Sequence, residues 1–338
     1  MSDVGLETGQ RIVLVTDHTW PSVDPEAEVL AAVGARLLVA ETGDEDELVN
    51  LAPQADAILT CFAKVTDRVI AAGGRLQVIG RYGIGVDNIA VEEATRRSIP
   101  VTNVPAYCLD EVAEHVLALL LAHARSLPSY DRAVHEGDWS LSRGAPIHRV
   151  AGSVLGIIGY GKIGQRLGDK ARGLGLELIA FDPMLTDEQM RQGGAEPVDL
   201  DELAARADFI SVHVPLTAET RGLVGEELLR KMKPSVFLVN TARGGLVDQD
   251  ALLHALQEGW IAGAGIDVFD PERLPIDHPL LLERKLIPTP HVAFYSEESV
   301  HELEILAAGN VAAILDGRRP AAIVNPSVLD DPRWAHLR

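Results

Sequence analysis

The run Val154-Leu-Gly-Ile-Ile-Gly-Tyr-Gly-Lys-Ile-Gly164 constrains this chain most, because it carries an apolar strand straight into a Gly-x-Gly-x-x-Gly turn and on into a helix. In such a unit Gly159 permits the tight turn, Gly161 lets backbone N–H groups approach a pyrophosphate, and Gly164 lets the helix pack close to the strand. Lys162 and Ile163 complete the cofactor-binding turn, and the helix start supplies partial positive charge. A second strand, Glu177-Leu-Ile-Ala-Phe-Asp-Pro, places Asp182 eighteen residues beyond Gly164. From there a carboxylate accepts the ribose hydroxyls of NAD. The same carboxylate repels a 2′-phosphate, and the following Pro-Met-Leu supplies no arginine, so NAD is expected rather than NADP.

A chain of 338 residues suits two domains. With aromatic residues at only 4%, the cores must be built from Leu, Val, Ile and Ala. The formal charge of −20 disfavours nucleic acid or an anionic membrane as a partner. It leaves room for a small anion held by local N–H groups and arginines. Cys61 and Cys108 have neither CxxC spacing nor a neighbouring His cluster, so no disulfide framework or zinc site is indicated and a reduced, cytoplasmic setting is expected. The acidic start, Met1-Ser-Asp-Val-Gly-Leu-Glu, has no basic segment leading into an apolar one, and no secretory signal is read there. The longest apolar run, Val116 to Ala124, is interrupted by His123 and reads as a buried helix, far short of a membrane span.

Along the chain, Arg11-Ile-Val-Leu-Val, Arg36-Leu-Leu-Val-Ala, Ala57-Ile-Leu-Thr, Leu76-Gln-Val-Ile-Gly and Pro100-Val-Thr-Asn-Val-Pro alternate with helix-length segments. The alternation predicts βαβ units. A long helix follows over Leu109–Arg125, with acidic residues near its start and Arg125 near its end, matching the helix dipole. Ser129–Arg149 shows no clear periodicity and reads as an extended arm, either packed on a partner subunit or an irregular surface excursion. Beyond the glycine-rich turn, strands are predicted at Phe209–Pro215, Ser235–Asn240, Ala262–Val268 and Leu286–Pro290. A last helix over Ser299–Asp316 is placed to return to the first domain. The fold expected is α/β with two doubly wound parallel-sheet domains. A Rossmann NAD-binding domain (106–291) is inserted in a flavodoxin-like substrate domain (1–105 and 292–338).

The glycine-rich unit, Asn240-Thr-Ala-Arg-Gly-Gly-Leu-Val-Asp248, Gly265-Ile-Asp-Val-Phe-Asp-Pro-Glu-Arg-Leu-Pro275 and Thr289-Pro-His-Val-Ala-Phe-Tyr-Ser296 together resemble the NAD-dependent D-isomer-specific 2-hydroxyacid dehydrogenases over nearly the whole chain. Within that family, Arg81-Tyr-Gly-Ile-Gly-Val-Asp-Asn-Ile and Pro-His-Val-Ala-Phe-Tyr-Ser-Glu look most similar to the C-terminal-binding-protein branch. That branch includes NAD-sensing transcriptional corepressors. The resemblance implies a homodimer acting on a 2-keto acid/D-2-hydroxy acid pair.

It also implies a catalytic arginine, glutamate and histidine at Arg243, Glu272 and His291. The chemistry agrees. Removing a hydride from the carbinol carbon requires a base for the hydroxyl proton, and histidine titrates in the useful range. A neighbouring carboxylate favours imidazolium, which suits reduction. Arginine can hold the substrate carboxylate and polarise the carbonyl. All three follow strand ends of one sheet and can converge on one crevice. His115, His123 and His213 gain no such support, and the first two read as helix residues. By the same resemblance, Gly83, Ile84 and Gly85 bind the substrate carboxylate through backbone N–H groups and Arg81 assists. Asp267 bonds the nicotinamide carboxamide, and Pro215, Thr220, Thr241 and Ala242 line the cofactor. Closure of the domains is expected to exclude water.

Some positions depart from the pattern. Asp270-Pro-Glu272-Arg273 replaces the family's Glu-x-Glu-Pro, so the loop around Glu272 is not fixed by resemblance. Ala90 stands where an aspartate often follows Asp-Asn-Ile, and Phe294 stands where the resembled branch has a tryptophan that could line the substrate pocket. No segment corresponds to the appended regulatory domain of many phosphoglycerate dehydrogenases. Two alternatives to reduction of an ordinary 2-keto acid are an NAD-sensing, corepressor-like dimer with little turnover and a dehydrogenase of an unusual acid. Retention of Arg243, Glu272 and His291 argues against the first.

Overall fold

The computed structural model describes residues 10–144 and 146–337. The Met1–Glu7 stretch and Ala145 of the expected arm lie outside them. The chain divides into two compact units, Met1–Tyr107 with Ser296–Arg338, and Cys108–Tyr295.

The first unit is a five-stranded parallel sheet of β1 (Arg11–Val15), β2 (Ala35–Val39), β3 (Ala57–Thr60), β4 (Val78–Arg81) and β5 (Val101–Thr102), in the order β2-β1-β3-β4-β5. This is the flavodoxin-like order, with its switch point between β1 and β3. β3 and β4 are buried at every position, including Thr60 and Arg81, as strands covered on both faces are. The helix Glu297–Leu315 returns here and packs on the helix Asp24–Ala31 and on β4. Gly80 permits the approach: a Cβ there would sit 2.7 Å from both Leu59 Cδ2 and Val311 Cγ2. Ser296 caps this helix by accepting from Ser299 N (2.9 Å).

The second unit is a seven-stranded parallel sheet of β6 (Val154–Ile158), β7 (Glu177–Phe181), β8 (Glu196–Pro197), β9 (Phe209–Val212), β10 (Phe237–Asn240), β11 (Gly263–Ile266) and β12 (Leu286–Pro288). Its order is β12-β11-β10-β9-β6-β7-β8. The order reverses between β6 and β9, so the chain opens a crevice at the carboxyl ends of those two strands. β8 was not among the expected strands, since two residues carry no periodic pattern. The helix Leu109–Ala124 buries Val112, Ala113, Val116, Leu119 and Leu120 and packs on the helix Lys162–Arg172. His123 stacks on Phe237 with ring centroids 4.1 Å apart, and burial pushes its pKa down to about 4, so it serves as a neutral aromatic filler.

The Ser129–Arg149 segment is not uniformly extended. Ser126 turns left-handed at φ 50°, and a second helix, Leu127–His135, begins there, followed by a short 3-10 turn at Leu141–Arg143. Only Ala133 of that helix is buried, although Leu127, Tyr130, Ala133 and Val134 recur at helical spacing. Among the described residues no helix is long and apolar enough to cross a membrane.

Candidate active site

The glycine-rich turn ends β6 at the crevice. Gly159 has φ +93°, and a Cβ there would lie 2.7 Å from Val214 N. A Cβ at Gly164 would strike the Gly159 carbonyl, so the helix begun by Lys162 and Ile163 can sit tight against the strand only with glycine. Gly161, in contrast, faces open space. Asp182, just past β7, is anchored to this turn: Oδ2 accepts from Tyr160 N and Oδ1 from Met184 N, both at 2.8 Å. A carboxylate has about four acceptor positions, so two such bonds leave capacity for ribose hydroxyls.

Further along the sheet, Thr241 follows β10, and its Oγ1 is buried with no partner. Such a group is costly unless something bonds to it. An unsatisfied hydroxyl, an open glycine face and an anchored carboxylate fit NAD. Ala242 donates its N–H to Asn240 Oδ1 (3.0 Å). Thr220 is engaged locally, donating to Pro215 O (2.7 Å) and accepting from Thr217 N (2.8 Å), which is turn chemistry.

The catalytic candidates follow three adjacent strands. Glu272 lies in the loop after β11 and His291 just after β12, and Glu272 Oε1 contacts His291 Nδ1. With Glu272 ionised, Nδ1–H donates to it, which fixes the tautomer and leaves proton exchange to Nε2. The Asp270-Pro-Glu272-Arg273 loop is secured by groups the resemblance does not supply. Gln249 Nε2 donates to Asp270 O (2.6 Å), Asp270 N donates to Gln249 Oε1 (3.3 Å), and Arg221 Nη1 donates to Asp270 Oδ2 (3.0 Å). Arg243 follows β10, with its carbonyl accepting from Asn240 Nδ2 (2.8 Å) and its Nη1 donating to Ala242 O (2.7 Å). Its loop lies directly on the Glu272 loop: a Cβ at Gly244 would run into the Phe269 carbonyl. Phe294 meets the His291 ring edge-on, with centroids 6.2 Å apart.

Asp267 is fully buried. Its carboxylate accepts from Thr289 Oγ1 (2.6 Å), Val292 N (2.9 Å) and Ala293 N (2.9 Å), and its carbonyl accepts from His291 N (2.8 Å). The residue therefore organises the turn that carries His291. His115, read from sequence as a helix residue, is on the predicted helix, and its Nε2 also lies 3.0 Å from Thr289 Oγ1. No local pattern could have announced this, since the partners are separated by 174 residues. His213 is paired with Ser211 Oγ (2.8 Å), and burial pushes its pKa down to about 4.

In the first unit the turn Arg81–Gly85 follows the carboxyl end of β4. Gly83, at φ +143°, leaves room for the Arg81 guanidinium, whose Nη1 would lie 3.1 Å from a Cβ there. Arg81 Nη1 donates to Tyr82 O, and its Nε is buried without a partner. Val104 N donates to Gly83 O (3.0 Å) and Asn103 Nδ2 to Ile84 O (2.8 Å), fixing the carbonyls of the turn. Gly85 stands next in the same turn, partly exposed.

The chain is 39% identical over 286 residues to a glyoxylate reductase of Korarchaeum cryptofilum, covering 83% of this chain and 86% of that one. It is 38% identical to a D-3-phosphoglycerate dehydrogenase of Mycobacterium tuberculosis, over 93% of this chain but only 58% of that longer relative. Its fold superposes with a TM-score of 0.83 on D-lactate dehydrogenase of Aquifex aeolicus, solved with NAD and lactic acid, at 28% identity over 95% of this chain and 98% of that one. The profile described as "D-isomer specific 2-hydroxyacid dehydrogenase, NAD binding domain" matches residues 117–293, and the chain belongs to that family of NAD-linked enzymes, which move a hydride between 2-keto and 2-hydroxy acids.

Proposed function

We propose that the protein reduces a small 2-keto acid to its D-2-hydroxy acid, with His291 as proton donor, Glu272 as the carboxylate that orients it and Arg243 as the cation that holds and polarises the substrate. The Glu272–His291 contact at the ends of neighbouring strands carries this reading. NAD supplies the hydride carrier. Gly159, Gly161, Lys162, Ile163, Gly164 and Asp182 hold its pyrophosphate and ribose, with Thr241, Ala242, Pro215 and Thr220 lining the rest. The nicotinamide carboxamide is assigned to Asp267 by the resemblance alone. In reduction, the His291 Nε2 proton passes to the carbonyl oxygen as C2 gains the hydride. In oxidation, neutral His291 takes the hydroxyl proton back. Arg243 stabilises the oxygen on which negative charge develops.

The substrate carboxylate is assigned to the Arg81–Gly85 turn, and the domain roles follow: residues 1–105 and 292–338 for substrate, 106–291 for NAD. Phe294 beside His291 supports a pocket with an aromatic wall. The motifs at Arg81–Ile89 and Pro290–Glu297 support placement near the C-terminal-binding-protein branch. A homodimer using the Ser129–Arg149 arm, and a cytoplasmic location consistent with the buried Cys61 and Cys108, complete the proposal.

The test is NADH consumption with glyoxylate, hydroxypyruvate, pyruvate and longer or aromatic 2-keto acids, beside His291→Ala and Arg243→Ala. Turnover lost in both variants is expected. Turnover retained by H291A, or no acid reduced by the wild type, overturns the proposal.

A further inference from the structure

The helix Leu109–Ala124 brings His115 to Thr289, and Thr289 to Asp267. His115 Nε2 lies 3.0 Å from Thr289 Oγ1, which lies 2.6 Å from Asp267 Oδ1. A threonine hydroxyl has one proton to give, and the shorter contact, to a carboxylate, takes it. Thr289 therefore accepts from His115, which must carry its proton on Nε2. Asp267 then holds the segment that follows, through Val292 N and Ala293 N on its carboxylate and His291 N on its carbonyl.

This wrap keeps His291 at φ 57°, a left-handed conformation that a residue with a Cβ retains only when its surroundings over-determine it. Of the groups on the Asp267 carboxylate, the two N–H donors are fixed by the chain. The Thr289 hydroxyl can rotate and needs a partner to set its direction. His115 supplies that partner from another element, with its side chain 21% exposed beside a carboxylate that is fully buried.

We propose that His115 is a positioning residue for hydride transfer: by donating from Nε2 to Thr289 it aims the Thr289 hydroxyl at Asp267 and stiffens the turn that presents His291. The inference rests on the reading of His291 as the acid–base group. It predicts a loss in turnover rather than in substrate binding, because a misdirected acid affects the transition state and not the ground-state complex.

The experiment uses the full chain with NADH and the best-reduced acid of the panel, and compares wild type, H115L, H115Q, T289V, T289S, H115L/T289V and H291A. H115L should lower kcat about tenfold, the scale of partners that orient a functional histidine, with the acid's KM within about twofold. H115Q extends an amide N–H to the place of Nε2 and should recover most of that loss. T289S, which keeps the hydroxyl, should stay near wild type while T289V falls with H115L. The double variant should be no slower than the worse single, since both break one chain of bonds.

Wild-type kcat in H115L, equal rates in H115L and H115Q, or losses that multiply in the double variant would each overturn the proposal. If H115L does not fold, equal rates for T289S and T289V do the same. H291A separates the two levels: turnover retained there removes the acid–base reading and this inference together. An inactive H291A beside a fully active H115L removes only the inference.

Discussion

Replacing Asp267 by Asn changes one oxygen to an NH2 at nearly constant volume, and the structure fixes where the damage falls. One carboxylate oxygen accepts from Thr289 Oγ1 and Val292 N, and the other accepts from Ala293 N. In the less costly amide orientation the NH2 faces Ala293 N–H, leaving a buried donor opposite a donor at about 1–3 kcal/mol. The two bonds that survive pass from charged to neutral acceptors and lose roughly 1 kcal/mol each. A neutral amide is cheaper to bury than a carboxylate, which offsets part of this. The net expectation is about 2–4 kcal/mol.

For a unit of this size that lowers its melting transition by roughly 5–12 °C. Because His291 hangs from the same node, kcat should fall at least about tenfold even well below the transition. Thermal unfolding followed by circular dichroism, with NADH turnover at a temperature where both proteins are folded, reads the two effects separately. A transition within about 2 °C of wild type together with unchanged kcat would refute the reasoning, since it would mean that the three bonds carry neither the stability nor the shape of the turn.

Other expectations follow from the same geometry. E272Q should keep the ring contact but lose its charge, lowering kcat for reduction by about 10–100-fold with the KM for NADH little changed, as steady-state kinetics would read. D182S, measured by NADPH against NADH turnover, should narrow the preference for NADH by at least about tenfold, because the carboxylate at the end of β7 no longer repels a 2′-phosphate. G164A must push the helix Lys162–Arg172 away from the Gly159 carbonyl, so the Kd for NADH from fluorescence titration should rise by roughly tenfold or more.

In the first unit, burial raises the Glu304 pKa to about 7, and the nearby charge of Glu26, itself raised mainly by burial, adds to the effect. Tyr82 packs with Glu26, and His301 Nδ1 lies 3.9 Å from Glu304 on the same helix. A carboxyl whose folded pKa is raised contributes stability fully present below about pH 4.5 and lost as pH rises through about 7. E304Q should therefore melt a few degrees above wild type at pH 8, and the two should converge toward pH 5.

The parts of the fold legible in the sequence were those where one residue type answers one local demand. Gly159 and Gly164 must be glycine because a Cβ would strike Val214 N or the Gly159 carbonyl, and the short, mostly apolar runs of β3 and β4 fit buried parallel strands. Asp248 caps the helix Gln249–Glu258, its side chain accepting from Asp250 N and Ala251 N. The helix Leu127–His135 was missed although its apolar residues recur at helical spacing, and β8 was missed because it is two residues long. Asp267 was assigned a contact to the cofactor by resemblance, but its part in holding Thr289, Val292 and Ala293 was not visible. Neither was the reach of His115 to Thr289, because both depend on how distant elements pack.

The loop that carries Glu272 is held by groups outside the segment that departs from the family pattern. Resemblance alone left this loop open, because Asp270-Pro-Glu272-Arg273 replaces the usual pattern. In the structure its backbone is held at Asp270 by both ends of one amide, Gln249, while Arg221 takes the Asp270 side chain. Gln249 is the first residue of the helix capped by Asp248, so its position is set by helix geometry rather than by the loop. Gly244 lets the Arg243 loop lie against the Phe269 carbonyl, and this binds the arginine's loop to the glutamate's. The constraints on Glu272 thus come from β10, the helix after it and Arg221, none of which belongs to the segment that differs. A carboxylate can then meet His291 Nδ1 although its immediate neighbours have changed, because the frame around it fixes where its backbone runs.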